Sequence, residues 1–461
     1  MKTLVDPTHA LARGLRAIRT QYQVPESFPP AVLAAAETAA RRAPTEHVDR
    51  TAEPFVTLDP ASSTDLDQAF SIQPAGDDLL LHYAIADVAW FVGDGDPLDI
   101  EAWRRGETLY LPDGKAPLYP PVLSQGAASL LPDGPRPAVI FTVRVAPDGA
   151  VKLDGAERAL IRSRAKLAYD SVTAADLPAG FPELSHRIAA AEMARGAARV
   201  DPPEQEVSAT GPDTYQLAFR PRLAAEDQNA ALSLATNMAI ADALAAHHTG
   251  LFRVMAAPDE HAIARLRNTA RAYRLDWPKA QSLDDYARTL DAADPHQAAF
   301  MLAIRRAGQG ASYTPYRDDV KPWHAAMAAT YAHATAPLRR LADRYVVEAT
   351  LAIAGGRPVP ETISAAFETL PKVMAKAEAL GGQIDRAVID LAEAVMLSRD
   401  VGQSFDAIVT DVDDRGARIQ MCDAPVVTRV AATGVAPGDA VRVTLTGVDV
   451  DKRSVTFTVA N

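Results

Sequence analysis

One acidic segment of this sequence is the most informative about both fold and chemistry. It reads Val56-Thr57-Leu58-Asp59-Pro60-Ala61-Ser62-Ser63-Thr64-Asp65-Leu66-Asp67-Gln68-Ala69-Phe70. Apolar residues lead into it, three carboxylates follow within nine positions, and apolar residues resume at Ala69, which predicts a loop that leads into a strand. Asp65 and Asp67 are two residues apart, so an extended backbone would point both carboxylates the same way while Leu66 faces the core.

Asp59, Asp65 and Asp67 form a candidate metal site. Pro60 fixes a bend directly after Asp59, and this bend would return the Asp59 carboxylate toward the other two. Carboxylates held this close raise each other's pKa unless a cation neutralises them. Oxygen ligands suit Mg²⁺ or Mn²⁺, and such an ion can activate water and stabilise charge on a phosphoryl group. Spacing alone leaves a second interpretation open, an acidic turn whose side chains cap backbone amides.

Length and charge limit the classes of protein that fit. A chain of 461 residues predicts about three domains. The net charge of −12 argues against a protein coated in nucleic acid, but it allows positive groups to line one channel. The basic residues gather in three groups, which belong either to such a channel or to solvated helix faces: Arg158, Arg162, Arg164 and Lys166; Arg305 and Arg306; and Arg339, Arg340 and Arg344.

The sequence also carries information on location. Its single cysteine, Cys422, excludes a disulfide framework and a Cys-rich zinc site. Residues Met1 to Arg16 mix charged and apolar side chains, so they lack the apolar core of a signal peptide. No apolar run approaches the ~18 residues that span a bilayer. We therefore expect a cytoplasmic monomer with no membrane partner.

Residues 1–50 predict a short N-terminal helical domain. An apolar stripe at helical spacing is formed by Leu11, Leu15, Ile18 and Tyr22. Prolines between residues 25 and 30 end this helix, and Ser27 is a candidate cap for a second helix through Val32, Leu33 and Ala36. The pair is either a helix-turn-helix fragment or a hairpin that docks on the rest of the protein.

Residues 51–400 predict a mixed α/β domain. Strand patterns over 69–72 and 79–86 flank the turn Ala75-Gly76-Asp77-Asp78, which indicates a hairpin. A further strand is expected over 138–145, and helical patterns cover 229–244, 338–354 and 371–396.

Residues 401–461 predict a C-terminal domain made of strands alone. Five short strands are expected over 405–411, 417–422, 426–430, 440–449 and 454–460. Five strands within about 60 residues fit an OB-fold barrel, a common nucleic-acid platform. A barrel that binds nothing, or an SH3-like module, remains the alternative. The predicted fold class is thus α+β multidomain, with an N-terminal helical domain, a central mixed α/β domain and a five-stranded barrel.

Five ordered blocks between Phe55 and about Leu397 resemble the ribonuclease II family. The blocks are Asp59-Pro60 with Asp65-Leu66-Asp67-Gln68-Ala69; His82-Tyr83-Ala84-Ile85-Ala86-Asp87-Val88-Ala89; Arg105-Gly106-Glu107-Thr108-Leu109-Tyr110-Leu111-Pro112 with Ser124 to Leu131; Ser163-Arg164-Ala165-Lys166-Leu167-Ala168-Tyr169; and Tyr331-Ala332-His333-Ala334-Thr335-Ala336-Pro337-Leu338-Arg339-Arg340. Their shared order is far more specific than any one motif. The C-terminal barrel also sits where this family carries an RNA-binding barrel.

The resemblance implies a Mg²⁺-dependent exoribonuclease that hydrolyses single-stranded RNA processively, 3′→5′, to nucleoside 5′-monophosphates. It assigns one or two Mg²⁺ ions, with Mn²⁺ as an alternative, to Asp59, Asp65, Asp67 and Gln68. It assigns Arg339 to the scissile phosphate, because a planar guanidinium can contact two phosphate oxygens. RNA-binding residues would be Tyr110, Tyr169, Arg339 and Arg340, with the two tyrosines stacking on bases. Core packing is the rival interpretation for each tyrosine, and a surface ion pair for Arg339.

The chain departs from the family pattern in three places. Gln68 stands where the family has a fourth aspartate, so the amide contributes no charge to a second metal. The helix near Ala230 to Asn237 lacks the paired glutamates expected there, which removes one ribose or base contact. Only about 50 residues precede the catalytic domain, so a helical segment replaces the cold-shock barrels of the family. His82, His324 and His333 receive no catalytic role, because a hard-cation site does not need them.

Three functions remain in competition at this point. The first is the exoribonuclease, with Asp59, Asp65, Asp67 and Arg339 as catalytic residues. The second is a non-catalytic RNA-binding protein on the same scaffold, with its site weakened by Gln68. The third is a metal phosphodiesterase that acts on DNA or small nucleotides, and the barrel and tyrosines count against small substrates.

Overall fold

The computed structural model describes residues 9–197, 204–211, 214–220, 223–292, 294–308, 310–414, 416–422, 424, 426–432 and 434–459. These residues form a central α/β body, two helices that precede it and a small β-barrel that follows it. The α+β multidomain class expected from the sequence is confirmed. The domain ranges 1–50, 51–400 and 401–461 stay predictions, and residues 1–8 lie outside the described residues.

Helices account for most of the body outside its sheets. In the described residues the α-helices are α1 (Ala10–Gln21), α2 (Pro30–Ala39), α3 (Val88–Phe91), α4 (Pro97–Arg105), α5 (Phe181–Ala194), α6 (Ala224–Ala246), α7 (Glu260–Ala272), α8 (Leu283–Ala287), α9 (Pro295–Ala307), α10 (Leu341–Ala354) and α11 (Glu361–Leu397). A π-helical turn covers Leu123–Ala127 and a 3-10 turn covers Ala325–Met327. None of the helices in these ranges has the length and apolar character needed to cross a membrane.

Strands build the central sheet, several two-stranded ribbons and the barrel. They are β1 (Val48–Asp49), β2 (Thr57–Asp59), β3 (Gln68–Ala75), β4 (Asp78–Ala86), β5 (Leu109–Leu111), β6 (Gly114–Ala116), β7 (Arg136–Val145), β8 (Val151–Ile161), β9 (Lys166–Ala168), β10 (Gln205–Gly211), β11 (Thr214–Phe219), β12 (Leu251–Met255), β13 (Ala311–Pro315), β14 (Trp323–His324), β15 (Ala329–Thr330), β16 (Ser404–Asp413), β17 (Gly416–Met421), β18 (Val427–Val430), β19 (Ala440–Asp449) and β20 (Ser454–Val459).

The central sheet carries the acidic segment at its edge. Its strand order is β1-β8-β7-β4-β3, antiparallel except for the β1–β8 pair. The predicted hairpin is confirmed, since β3 and β4 pair antiparallel and Ala75 faces Asp78 at the turn. Helices α6 and α10 pack against the sheet around fully buried side chains such as Tyr83 and Phe141. The acidic segment therefore leads into a sheet whose packed side chains hold it in place.

The N-terminal helices dock on the body rather than on each other. Helix α1 buries Leu11, Leu15 and Ile18 in a cluster with residues of α11, whereas α2 packs against α4. This arrangement agrees with the docking hairpin and not with a self-contained helix-turn-helix unit. The predicted Ser27 cap is wrong: α2 begins after Pro29, without a side-chain cap, because Pro30 supplies a first turn that needs no N–H donor there.

The three predicted body helices are present as α6, α10 and α11, but the start of α11 differs. The sequence pattern predicts a helix that starts at Pro371, but Pro371 lies inside α11, which begins ten residues earlier at Glu361. The apolar stripe continues on both sides of the proline through Ile363, Phe367, Leu370 and Met374, all of them buried. Burial of this stripe outweighs the hydrogen bond that a proline removes from a helix interior.

The C-terminal strands form the predicted five-stranded barrel. Their order is β18-β17-β16-β19-β20, all antiparallel, and a parallel bridge between Ala431 and Thr458 joins the two ends. That closure through the third and fifth strands of the barrel fits an OB fold. The barrel is attached to the body: the Tyr273 hydroxyl at the end of α7 donates to the Thr410 carbonyl, and Arg306 pairs with Asp411 at 3.1 Å.

Candidate active site

The acidic segment forms a loop between β2 and β3, and contacts with other parts of the chain hold this loop in place. Asp59 is the last residue of β2, which pairs in parallel with β9, and Gln68 is the first residue of β3. Asp65 and Asp67 lie in the loop just before β3 rather than in a strand, with Leu66 fully buried between them as predicted. The packing of Leu66 fixes the loop and directs the two flanking carboxylates away from the side of the backbone that Leu66 occupies.

Ser129 holds the backbone on both sides of Asp65. Its hydroxyl accepts the Leu66 N–H at 2.9 Å and donates to the Thr64 carbonyl at 2.8 Å, and the Ser129 side chain is fully buried. The neighbouring Leu130 N–H donates to the Leu66 carbonyl at 3.0 Å. The loop that presents Asp65 is thus anchored by the chain just after the π-helical turn. No local pattern in the sequence indicates this role of Ser129.

Asp67 is the most buried of the three aspartates, with 6% of its surface exposed. Its Oδ1 accepts the Leu338 N–H at 2.7 Å, and its Oδ2 lies 3.6 Å from Arg339 Nε. Burial raises the pKa of Asp67 to about 8, although Arg339 and the Leu338 N–H both oppose the rise. The site therefore holds a carboxylate whose negative charge is not fully compensated by protein groups.

Asp59 lies in a similar environment. Burial raises its pKa to about 6, Arg339 and Lys166 act in the opposite direction, and the nearby Asp65 adds to the rise. The Lys166 ammonium donates to the Ala61 carbonyl at 2.8 Å, which holds its charge near the acidic segment. Asp59 and Asp67 are thus both carboxylates that an additional positive charge would stabilise.

Asp65 is already paired within the protein. Lys115 Nζ lies 2.6 Å from its Oδ1, and the Tyr110 hydroxyl donates to its Oδ2 at 3.4 Å. Tyr110 and Lys115 are cross-strand partners in the β5–β6 hairpin, so they share one face. Lys115 was missed from the sequence, although the Pro112-Asp113 turn places it opposite Tyr110 and so could have revealed it.

Gln68 is held in a hydrogen-bond network of its own. Its Oε1 accepts from the Tyr83 hydroxyl at 2.5 Å and from the Ser233 hydroxyl at 3.3 Å. Its Nε2 donates to the Thr335 carbonyl at 2.7 Å, which fixes the orientation of the amide. Both lone pairs of Oε1 face protein hydroxyls, so this geometry gives Gln68 a bracing role and does not favour the predicted metal contact.

Arg339 is the group around which the predicted site residues gather. It influences the pKa of Asp59, Asp67, Tyr110 and Tyr169, which places all four within its electrostatic range. Its side chain is 43% exposed, so the guanidinium can reach a ligand. Arg340 differs: its Nε and Nη2 bond to both oxygens of Asp343 at 3.0 and 2.8 Å, so its predicted RNA contact competes with a structural ion pair.

The two predicted stacking tyrosines lie in different surroundings. Tyr110 is 51% exposed, and its ring is open to a ligand. Tyr169 is half-buried, and its hydroxyl accepts from Asn229 Nδ2 at 2.9 Å. Each borders a cavity that Arg339 also lines, of about 230 Å³ beside Tyr110 and about 340 Å³ beside Tyr169. The site thus has two cavities that share Arg339 as a lining residue.

The larger cavity contains carboxylates that the sequence analysis missed. Ala230, where the expected glutamate is absent, lines this cavity together with Glu226 one helical turn earlier and Glu192 from α5. A helix places residues four apart on the same face, so the spacing from Ala230 was the available signal for Glu226. The cavity therefore keeps acidic groups despite the departure at Ala230.

The histidines have protein partners. His82 Nδ1 lies 2.5 Å from Glu53, and His333 Nδ1 lies 2.7 Å from the Tyr313 hydroxyl. Burial holds the pKa of His333 well below its usual value and lowers that of His324 to about 4. His333 and His324 are therefore neutral at pH 7 and offer no positive charge to a phosphate.

The donor set fits a hard cation by its chemistry. Among the residues that the structure describes, no three His, Cys, Asp or Glu side chains form a ready metal group. Asp59, Asp65 and Asp67 nevertheless offer only oxygen donors, and burial raises the pKa of two of them. Mg²⁺ takes few protein ligands and retains waters, so it does not require a closed protein cage.

Family comparisons agree with this architecture. Residues 47–353 match the RNB domain, and residues 403–460 match the RNase II-type exonuclease C-terminal S1 domain. The chain belongs to the RNB-domain family, and the family resemblance recognised in its sequence blocks is confirmed. Ribonuclease R of Aquifex aeolicus is 27% identical over 432 residues, which cover 87% of this chain and 60% of that protein. The chain thus spans less than two thirds of this curated relative.

Solved structures share the fold. Mycoplasma genitalium RNase R in complex with ribose methylated single-stranded RNA matches with a TM-score of 0.86 and 20% identity, covering 100% of this chain and 79% of that one. Yeast Ssd1, described as a pseudonuclease, matches with a TM-score of 0.67 and 15% identity, covering 96% of this chain and 59% of that one. The same fold therefore occurs in a ribonuclease and in a protein described as a pseudonuclease.

Proposed function

We propose that this protein is a metal-dependent exoribonuclease that degrades single-stranded RNA processively from its 3′ end and releases nucleoside 5′-monophosphates. The observation that carries the proposal is the position of the exposed Arg339. It lies 3.6 Å from Asp67 and lines the two cavities that Tyr110 and Tyr169 border, while its charge opposes the rise in the pKa of Asp59. Carboxylates, a guanidinium and aromatic rings together supply the groups that phosphodiester hydrolysis and base stacking need.

Arg339 is proposed to hold the scissile phosphate. Its guanidinium can donate to two phosphate oxygens at once, and it is free of the bidentate pairing that occupies Arg340. Asp67 lies close enough to orient Arg339 without neutralising it, at 3.6 Å from Nε. The positive charge of Arg339 would therefore stabilise the negative charge that develops on the phosphoryl oxygens.

Asp59, Asp65 and Asp67 are proposed to hold one or two Mg²⁺ ions, with Mn²⁺ as an alternative. When bound, the cation supplies activation of water and neutralisation of phosphate charge. Binding at Asp65 requires that the Lys115 ammonium, 2.6 Å from Oδ1, move or share the carboxylate. Gln68 is proposed to brace the segment through Thr335 and Ser233, a change from the ligand role expected from the sequence.

The preference for single strands is proposed to come from the tyrosines and the cavities. Tyr110 and Tyr169 offer faces on which any base can stack, which suits a nuclease without sequence preference. The cavity of about 340 Å³ beside Tyr169 is near the lower end of the roughly 300–1,000 Å³ typical of small-molecule sites, which suits one nucleotide at a time. The C-terminal barrel is proposed as the second RNA-binding platform.

A non-catalytic RNA-binding protein is the second candidate. It is favoured by the saturated hydrogen bonds of Gln68 and by the Lys115–Asp65 pair. Two of the four predicted metal ligands are thus already bonded to protein groups. The cytoplasmic location and monomeric state expected from the sequence stay proposals for either function.

A digest that compares nucleic acids decides between these functions. RNA with a single-stranded 3′ tail, blunt duplex RNA and single-stranded DNA are each incubated with the full-length protein and Mg²⁺. We expect RNA shortened from its 3′ end, with nucleoside 5′-monophosphates as products and the DNA intact. Binding of tailed RNA without any cleavage would establish the second candidate, and equal cleavage of DNA would favour a general metal phosphodiesterase.

A further inference from the structure

The hairpin of residues 109–116 connects the N-terminal helix to the candidate active site. Its base is joined to the Arg339 segment, because the Thr108 N–H donates to the Arg339 carbonyl and the Leu341 N–H donates to the Gly106 carbonyl, both at 3.0 Å. Its upper face carries Tyr110 and Lys115, which both contact Asp65. Whatever holds this hairpin therefore sets where these two side chains lie.

The underside of the hairpin rests on α1 and α11. Leu109, Leu111 and Ala116 are buried in the same cluster as Leu15 and Ile18 of α1. Strand alternation explains the division, since Leu109 and Leu111 point down while Tyr110 points up. Apolar contact holds the hairpin against α1, but it does not by itself fix the position of the turn.

Arg19 fixes the turn. Its Nε and Nη2 donate to the two oxygens of Asp113 at 3.0 and 2.8 Å, and Nη2 also donates to the Gly114 carbonyl at 2.8 Å. Arg19 is 15% exposed and Asp113 24% exposed, so water screens this pair less than an ordinary surface ion pair. The hydrogen bond from Arg19 to Asp113 also raises the pKa of the Arg19 guanidinium. Three bonds from one side chain thus attach the hairpin to the N-terminal helix.

We propose that α1 is a positioning element of the active site, which acts through Arg19 and Asp113 to hold Tyr110 over the RNA and Lys115 against Asp65. This inference rests on the proposed function, because it assigns the N-terminal helix a part in RNA binding. Arg19 contacts Asp113 and Gly114, the two residues directly before Lys115. It would act on RNA only through the hairpin, so it is a positioning residue. Through Arg19, α1 thus has a role beyond packing against the body of the protein.

The test compares Arg19→Ala with Arg16→Ala. Arg16 is an exposed arginine on the same helix, so its loss is the matched control. Hydrogen exchange of the amides of residues 109–116 is measured first, on the full chain without RNA. We expect faster exchange in Arg19→Ala alone, because the turn loses its three bonds. Equal exchange in Arg19→Ala, Arg16→Ala and the wild type would overturn the proposal, whatever the protein does to RNA.

RNA binding is measured next, with a 3′-tailed oligonucleotide and with Asp67→Asn present in every variant so that hydrolysis cannot interfere. We expect Arg19→Ala to weaken binding roughly tenfold, the scale of losing the stacking of one base, and Arg16→Ala to leave it unchanged. Arg19→Asp combined with Asp113→Arg should recover binding that Arg19→Asp alone loses. Unchanged affinity in a variant with faster exchange would show that the hairpin does not position Tyr110 for RNA. If the protein that carries Asp67→Asn alone binds no RNA, the proposed function is overturned, while the exchange result still decides whether α1 holds the hairpin.

Discussion

The backbone N–H of Leu338 donates to Asp67 Oδ1 at 2.7 Å, across 271 residues of sequence. The bond places the next residue, Arg339, with its Nε 3.6 Å from the other oxygen of the same carboxylate. A buried acid and an exposed guanidinium are therefore fixed relative to each other by one peptide group. Because a backbone bond joins the two segments, the proposed metal ligand and the residue of the proposed phosphate contact lie side by side before any ligand binds.

Arg339→Lys keeps the positive charge but removes the planar fork. We expect kcat for RNA hydrolysis to fall by roughly 10²–10³-fold, the scale seen when one donor to a developing oxyanion is lost, with a smaller change in KM. Arg317→Lys, which alters an exposed pair with Glu368, is the control and should leave kcat unchanged. Steady-state kinetics on a short tailed RNA measures both, and a wild-type kcat in Arg339→Lys would remove Arg339 from the mechanism.

Gln68→Asp tests the position at which the family pattern is broken. A fourth carboxylate beside Asp67 should lower the Mg²⁺ concentration needed for half-maximal RNA hydrolysis. The same change removes the bond from Nε2 to the buried Thr335 carbonyl, so stability should fall by about 1–3 kcal/mol. Gln68→Asn is the matched control, because asparagine is equal in size to aspartate but carries no charge. If both variants need the same Mg²⁺ concentration, residue 68 does not act on the metal.

Tyr110 is predicted to bind RNA through its ring. Tyr110→Phe keeps the ring and loses the 3.4 Å bond to Asp65, whereas Tyr110→Ala loses both. We expect Tyr110→Ala to weaken RNA binding by about 1–3 kcal/mol and Tyr110→Phe to stay close to the wild type. Fluorescence titration with tailed RNA measures the affinities. Similar losses in the two variants would assign the effect to the hydroxyl instead of to stacking.

Glu393 should make stability depend on pH. This carboxylate of α11 is 2% exposed, and burial raises its pKa to about 7, against the hydrogen bonds from Gln205 and the Val427 N–H. Between the usual glutamate pKa, about 4.3, and pH 7, the folded protein holds a proton that the unfolded chain has released, so this group makes stability fall as pH rises. Glu393→Gln cannot titrate and should flatten that slope.

Thermal unfolding of the wild type and of Glu393→Gln at pH 5, 6 and 7.5 measures the effect. The difference in Tm between the variant and the wild type should shift in favour of the variant as pH rises. A difference that stays constant across this range would mean that Glu393 has the same pKa in both states.

Local patterns in the sequence were sufficient for most of the fold. The hairpin at Ala75–Asp78 and the strands of the barrel follow from alternation and turn residues, which act between neighbours. The limits appear where proline allows two interpretations. Pro371 predicts a helix start but lies inside α11, and Pro30 rather than Ser27 sets the start of α2. In both cases a local preference yielded to burial or to a neighbouring residue.

The sequence nominates residues for the candidate site, which stay predictions, but it does not reveal their contacts. Asp59, Asp65 and Asp67 stand out because three carboxylates share one short segment. The pairing of Asp65 with Lys115 and of Arg19 with Asp113 joins distant segments, and no periodicity in a single sequence records such contacts. The environment of Gln68 was hidden for the same reason, since its partners come from β4, α6 and the segment before α10.

The most direct test is the release of nucleoside 5′-monophosphates from 3′-tailed RNA by the wild type and by Asp67→Asn, each with Mg²⁺ and with EDTA. Asp67→Asn is close in size and can still accept the Leu338 N–H, so it removes the charge with little change to the fold. We predict monophosphates only from the wild type with Mg²⁺. Intact RNA in that reaction, or equal release by Asp67→Asn, would contradict a metal-dependent ribonuclease built on Asp67.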